Sequence, residues 1–433
     1  MTTPINEPSS SEKFSVGAIV PLPKARCTRR SGKAAQAIFK PERRWIGFPD
    51  LYLEPFRLFF PAATLAGLIG VALWPIMLLG WTANYPGPSH ARLMVQGFFG
   101  GFIFGFLGTS MPRFVEARPL SAREALLLLA LFLGNVAANA AGMTTFADTL
   151  FAGEILLWFS MLKGRCLRGT SRPPPSFVLV GLSFVSVLGG TVVNLVGTRW
   201  ELSESLELLA RSLSYHAFVL LCILGAGGFL LPRFLGLGVR RTFPESASAS
   251  PEWKRAALIA AMVGMVILAT YALEAFGHPR IAGTLRTAAI ISYLWYELPM
   301  ERLQWHRRGV QWQLITGLVC IPLGVLAAGW FNAMRVSFVH LELIGGFALI
   351  TTGIAARVVF GHSGVRERLE RFDPWLTAAA LLMLLGLFSR VSGDFLPRLQ
   401  TSHYFYGALC WLIGAVVWSA RVLPRIVRPD PET

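Results

Sequence analysis

The chain has 433 residues, 54% of them apolar and only 15% charged, with 42 glycines and a mean hydropathy of +0.53. A soluble domain carries roughly 25% charged residues, so a water-soluble enzyme fits poorly, and a disordered chain would lack this much apolar surface to bury. The net charge of +16 does not require nucleic acid as a partner, because basic residues confined to the loops of an apolar chain are what the positive-inside rule asks of a protein set in a bilayer.

Residues 1–55 read as a basic cytoplasmic extension, largely disordered. A polar stretch, Thr2 to Ser11, is followed by Arg26, Arg29, Arg30, Lys33, Lys40, Arg43 and Arg44. No short apolar core follows the early charges, so the pattern is not that of a secretory signal peptide, and the basic part suits anionic lipid headgroups. From Phe56 onward apolar windows recur, each long enough to cross a hydrocarbon core ~30 Å thick as a helix. Twelve are predicted, at 56–81, 92–111, 124–142, 146–162, 176–198, 212–232, 256–276, 281–299, 311–330, 336–360, 375–396 and 405–423. Pro61, Pro75 and Pro322 fall inside spans and mark expected kinks. Residues 424–433 form a short tail. The fold class is an all-α integral membrane protein, with a twelve-helix domain at 56–423.

The basic residues test the count. With twelve spans, 31 of the 40 Lys and Arg fall on the side that holds both termini. Seven fall opposite: Arg92, Arg199, Arg211, Arg280, Arg335, Arg390 and Arg398. The alternation holds along the whole chain and puts both termini in the cytoplasm.

A repeat runs through the second, sixth and tenth spans. Each opens near a histidine (His90, His216, His340) and carries a glycine pair (Gly100-Gly101, Gly227-Gly228, Gly345-Gly346). The second and sixth leave through Pro112-Arg113-Phe114 and Pro232-Arg233-Phe234, and the tenth carries Arg357. The histidines are 126 and 124 residues apart, about four spans each time. That spacing suggests three four-helix units in a pseudo-threefold arrangement.

Histidine is a ligand for iron, copper and zinc, and ionisable groups inside a bilayer are costly enough to suggest a function. His90, His216 and His340 are the candidate metal or cofactor ligands, with His403 a fourth on the same side. The expectation is that they share one depth, with His90 and His340 the closer pair and His216 the exception. His362 lies 22 residues past His340, ~33 Å of helical rise, and is expected to serve structure or gating at the other end. Glu342, two residues from His340, points to a different face and is not expected to support it. Asn135, Asn139, Glu154, Asn194, Arg286 and Glu297 are further polar groups within spans, Arg286 and Glu297 pairing with each other or across helices. The five cysteines, Cys27, Cys166, Cys222, Cys320 and Cys410, have no close pair and read as small hydrophobes.

The motifs resemble those of the NnrS family of multi-spanning bacterial inner-membrane proteins. Phe56-Arg57-Leu58-Phe59-Phe60 is similar to a family Phe-Arg-Pro-Phe-Phe signature, and Ser89-His90-Ala91-Arg92-Leu93-Met94 with Gly97-Phe98 to a Trp-His-Ala-His-Glu-Met…Gly-Phe motif. Gly227-Gly228-Phe229, Pro232 and Phe234 resemble a Gly-Gly-Arg…Pro…Phe segment. The fullest match is His340, Gly345, Gly353, Arg357 and Gly361-His362-Ser363-Gly364. Arg92 and Leu93 stand where the family has a second histidine and a glutamate, and Phe229 where it has arginine.

The resemblance implies a haem- and copper-containing protein linked to nitric oxide and nitrosative stress, with nitric oxide or a related small molecule as partner. It leaves turnover open. Its histidine layout also resembles haem–copper oxidase subunit I at the level of fold. Arg92 is then expected to pair with a haem propionate or another anion. The competing expectation is a cofactor-free secondary transporter working through Arg286, Glu297 and Glu154.

Overall fold

The computed structural model describes residues 46–243, 246–303, 309–365 and 371–429. Most of the extension expected over 1–55 lies outside these residues, as does Cys27. The part within them includes a short helix, Phe48–Leu53, in a stretch expected to be largely disordered. Among the described residues the structure is helical, with no strand.

Among the described residues eleven helices are long and apolar enough to cross a membrane: α1 Phe56–Leu78, α2 Gly87–Phe114, α3 Ala122–Ala140, α4 Thr144–Arg168, α5 Pro175–Val196, α6 Glu204–Phe234, α7 Pro251–Ala275, α9 Val310–Trp330, α10 Asn332–His362, α11 Pro374–Phe395 and α12 Pro397–Arg425. They make this a multi-pass membrane protein. The remaining predicted span is a helix of full length, α8 Pro279–Glu297, but it carries Arg280, Arg286 and Glu297 and is not apolar enough to join the eleven. Its faces differ sharply. Arg286 is buried, whereas Ile281, Leu285, Ile291 and Trp295 are exposed, as are Leu258, Met262 and Met265 on α7 and Leu381, Leu385 and Phe388 on α11. Such a continuous apolar exterior is unsuited to water and suited to lipid.

Local sequence sets the helix ends. At α3 the Ser121 hydroxyl accepts from the Glu124 N–H, while the Glu124 carboxylate accepts from the Ser121 N–H, a reciprocal cap that satisfies two otherwise orphaned donors. Asp373, just before Pro374, accepts the N–H groups of Trp375 and Leu376 on one oxygen and the Arg421 fork of α12 on the other.

Packing is governed by small residues and aromatic rings. A methyl group at Gly97 would lie 2.7 Å from the Ala66 Cβ, one at Gly101 equally close to Ala63, and one at Gly105 3.0 Å from the Phe56 Cα. These glycines, four residues apart, let α1 and α2 meet along a seam, which matters where lipid supplies no hydrophobic force between helices. Phe56, Phe59 and Phe60 are all buried. The Phe59 ring stands 5.5 Å from Phe132 of α3 and 5.7 Å from Trp158 of α4, so the signature at the start of α1 fills the core of the first four helices.

The repeat has a backbone counterpart. α2, α6 and α10 each contain a π-helical segment, at Leu93–Phe99, Ser212–Ala217 and Leu341–Ala348. The second includes His216, the third begins directly after His340, and the first begins three residues after His90. Such segments are rare and concentrate at functional sites.

Candidate functional site

A cavity of about 1200 Å³ opens at one end of the helix bundle, and His90, His216 and His340 all line it. His216, the expected exception, is therefore not set apart from the other two. His403 does not reach the cavity; its ring nitrogen and backbone oxygen engage the Ser389 hydroxyl at 3.2 and 2.9 Å.

The three imidazoles share one feature. His90 Nδ1 lies 2.9 Å from the Gly70 carbonyl and His340 Nδ1 2.7 Å from the Val336 carbonyl. His216 Nδ1 lies 3.2 Å from a Glu342 carboxylate oxygen. A carbonyl can only accept, so Nδ1 carries the proton and Nε2 keeps its lone pair, as in a metal-ligating histidine oriented by its other nitrogen. Glu342 does not serve His340, as its placement predicts; it crosses from α10 to α6 and serves His216. Its other oxygen is buried without a hydrogen-bond partner.

Arg92 is already neutralised. Its Nε and one terminal nitrogen grip Asp148 of α4 at 2.9 and 2.7 Å. Asp148 also accepts from Gln96 at 2.7 Å, and Gln96 accepts from Asn135 at 2.8 Å. The anion expected to meet Arg92 is thus a carboxylate of the protein itself. The two other arginines on the cavity wall, Arg211 and Arg390, are held more loosely, by Glu207 at 3.7 Å and Asp394 at 3.3 Å. Asp394 collects the hydroxyls of Ser337 and Tyr404 and the Gln400 amide at 3.1 Å. Arg390, Asp394, Gln400 and Tyr404 all line the cavity and were not singled out in the sequence, where only the i,i+4 spacing of Arg390 and Asp394 hints at them.

The other intramembrane charges lie away from the cavity. Arg286 pairs with Glu274 of α7 at 2.7 Å and lies 3.5 Å over the Tyr271 ring. Glu297 pairs with Arg241 at 3.2 Å. Arg286 therefore pairs across helices and Glu297 with an arginine of the loop between α6 and α7, not with each other. Neither they nor the fully buried Glu154 line the cavity.

His362 belongs to a different cluster. Its Nδ1 is 2.7 Å from Glu54 Oε1, and the same oxygen accepts from Arg113 at 2.6 Å. Arg57 donates to the other oxygen at 2.7 Å. Three of the motif segments, at the entry of α1 and the exits of α2 and α10, therefore meet at one carboxylate. Burial alone would raise the Glu54 pKa, but the His362 hydrogen bond, with the positive charges of His362, Arg57 and Arg113, brings it down to about 2.

A family profile described as NnrS protein matches residues 50–430. The chain belongs to the NnrS family. The match spans all twelve long helices, so the resemblance seen in separate motifs holds for nearly the whole chain. A comparison with curated proteins finds no match.

The cofactors implied by the NnrS family place different demands on these residues. Among the described residues no group of three or more His, Cys, Asp and Glu side chains is disposed to hold a metal ion, so no three of His90, His216, His340 and His403 fit a copper trio. Haem asks for less: one or two imidazole Nε2 atoms, a large partly apolar chamber and cations for its propionates. The cavity offers all of these, with Trp74, Phe99, Leu343 and Trp411 among its apolar lining.

Proposed function

We propose that this protein is a haem-binding NnrS-family protein of the bacterial inner membrane that handles nitric oxide or a closely related molecule. The observation that carries the reading is the common state of His90, His216 and His340, each with Nδ1 committed to an oxygen and each on the wall of one cavity. Haem iron, when bound, supplies a coordination site for small diatomic ligands. His90 and His340 would hold it through Nε2, their rings fixed by backbone carbonyls. The carboxylate partner of His216 fixes that ring's orientation, suiting it to a ligand role beside the group. Arg390 and Arg211 take the propionate-facing role expected of Arg92.

The lipid-facing side of α8 supports a twelfth crossing, and the distribution of Lys and Arg then supports cytoplasmic termini. The histidine cavity would open on the opposite side of the membrane.

Purified full-length protein titrated with haem in detergent tests the proposal. The expected result is a Soret band saturating near one haem per chain and shifting on addition of nitric oxide. Variants His90→Ala and His340→Ala should each weaken haem binding at least tenfold while melting close to the parent. A protein that takes up no haem, or variants that bind like the parent, would overturn it, and a transporter reading would then be preferred.

A further inference from the structure

Beyond the histidine cavity lies a second, smaller chamber of about 60 Å³. Its walls come from corresponding stretches of the three repeat helices: Phe102 and Phe106 of α2, Cys222 and Leu230 of α6, Ile350 and Ile354 of α10. No charged side chain lines it. The Cys222 thiol is turned to the Ser183 hydroxyl, 2.9 Å away, and Thr351 is the sole hydroxyl residue on the wall. An ordered water needs two to four polar partners, which this wall does not supply, so the chamber favours an apolar occupant.

The two spaces are close along the chain. Phe99 and Ala348 line the histidine cavity, while Phe102 and Ile350 line the chamber. At this level the Phe99 and Phe347 rings meet edge to face, 6.0 Å between centroids. In interiors packed like organic crystals, a gap of this size is filled by one larger side chain. Ala226 and Ala355 both line the space, and either position offers such a filling.

We infer that this chamber binds one small, neutral, apolar molecule of diatomic-gas size, one aromatic layer away from the histidine cavity. The chamber is half-open, and a guest held wholly within its walls is smaller than benzene, which fills an apolar cavity of ~150 Å³. Desolvation excludes charged or strongly polar ones. Such guests dissolve in lipid and reach the protein through the bilayer. The binding stands on the chamber itself; passage of the guest toward the histidines rests on the haem reading above.

Xenon is the probe. Crystals of the full chain pressurised with xenon should show one anomalous peak between Phe102, Cys222 and Ile350. Ala226→Phe, filling from α6, should lower its occupancy at least tenfold, and Thr351→Phe, filling from α10, should do the same. No peak in the parent protein overturns the inference, as does an undiminished peak in the filled variants or detergent or lipid tail density occupying the space. If neither variant folds, the parent peak decides. Haem absorbance recorded on the same protein keeps the two proposals apart, since xenon binding needs no haem and haem binding needs no chamber.

Discussion

Replacing Asp148 by alanine leaves the Arg92 guanidinium on the cavity wall without its carboxylate and removes an acceptor from Gln96. The side chains of Arg92 and Asp148 are 15% and 5% exposed, so the pair is largely out of water. Removing one partner of a buried pair costs about 3–5 kcal/mol, and the low end applies because Arg92 borders the cavity. The lost Gln96 bond adds about 1 kcal/mol, for a total of about 4 kcal/mol. At about 2 °C per kcal/mol for a chain larger than 150–250 residues, the melting temperature should fall by roughly 8 °C. Intrinsic fluorescence of the 13 tryptophans follows unfolding in detergent. The double variant Arg92→Leu with Asp148→Leu should recover most of the loss, because apolar residues often replace a buried ion pair at little cost, and it should keep its haem absorbance. A single variant that melts like the parent, or a double variant no better than the single, would refute the reasoning. A stable double variant without haem would return Arg92 to the cofactor.

Glu342→Gln takes the carboxylate from His216 and should weaken binding at that ligand about 10- to 100-fold, read in the haem titration; unchanged affinity would remove His216 from the site. At Gly324 a methyl group would stand 2.6 Å from the Glu342 backbone nitrogen, so Gly324→Ala should push the π segment of α10 away, lower stability by about 1–3 kcal/mol and alter the Soret band. His403→Ala should leave haem affinity within twofold of the parent. Glu54, held at about 2 against an ordinary 4.5, gives stability that is complete above pH 4.5 and is lost as pH falls toward 2; Glu54→Gln should lower the melting temperature at neutral pH and flatten its decline between those limits.

The helices were legible because a bilayer demands long apolar windows, and the family signature because its aromatic and glycine positions are packing requirements. α8 shows the limit of hydropathy: Arg286 faces inward to Glu274, a pairing that a window average cannot see. His90, His216 and His340 were legible as a set through their spacing and glycine pairs. Their partners were not. The Gly70 and Val336 carbonyls leave no mark in the side-chain sequence, and Glu342 serves a histidine 126 residues away. Asp148 escaped notice because it lies near the start of α4, where an acidic residue reads as ordinary helix-end chemistry. The π segments share no compositional signature: glycines lie in or beside those of α2 and α10 but not that of α6.

The Glu54 cluster also concerns the two ends of the membrane domain. Arg57 donates to the carbonyl oxygens of Ile426 and Arg428, and the Ile46 N–H reaches the Val427 oxygen at 3.2 Å. The domain thus closes into a ring, with a turn near its C-terminal end supplying acceptors to a guanidinium near its start. A truncation that stops before Ile426 strands that guanidinium, so affinity tags belong after Arg428, joined through a spacer. The same closure suits the domain to circular permutation: a linker bridging 46 and 428 spans residues already in contact, and new termini can be opened in a loop at the far side.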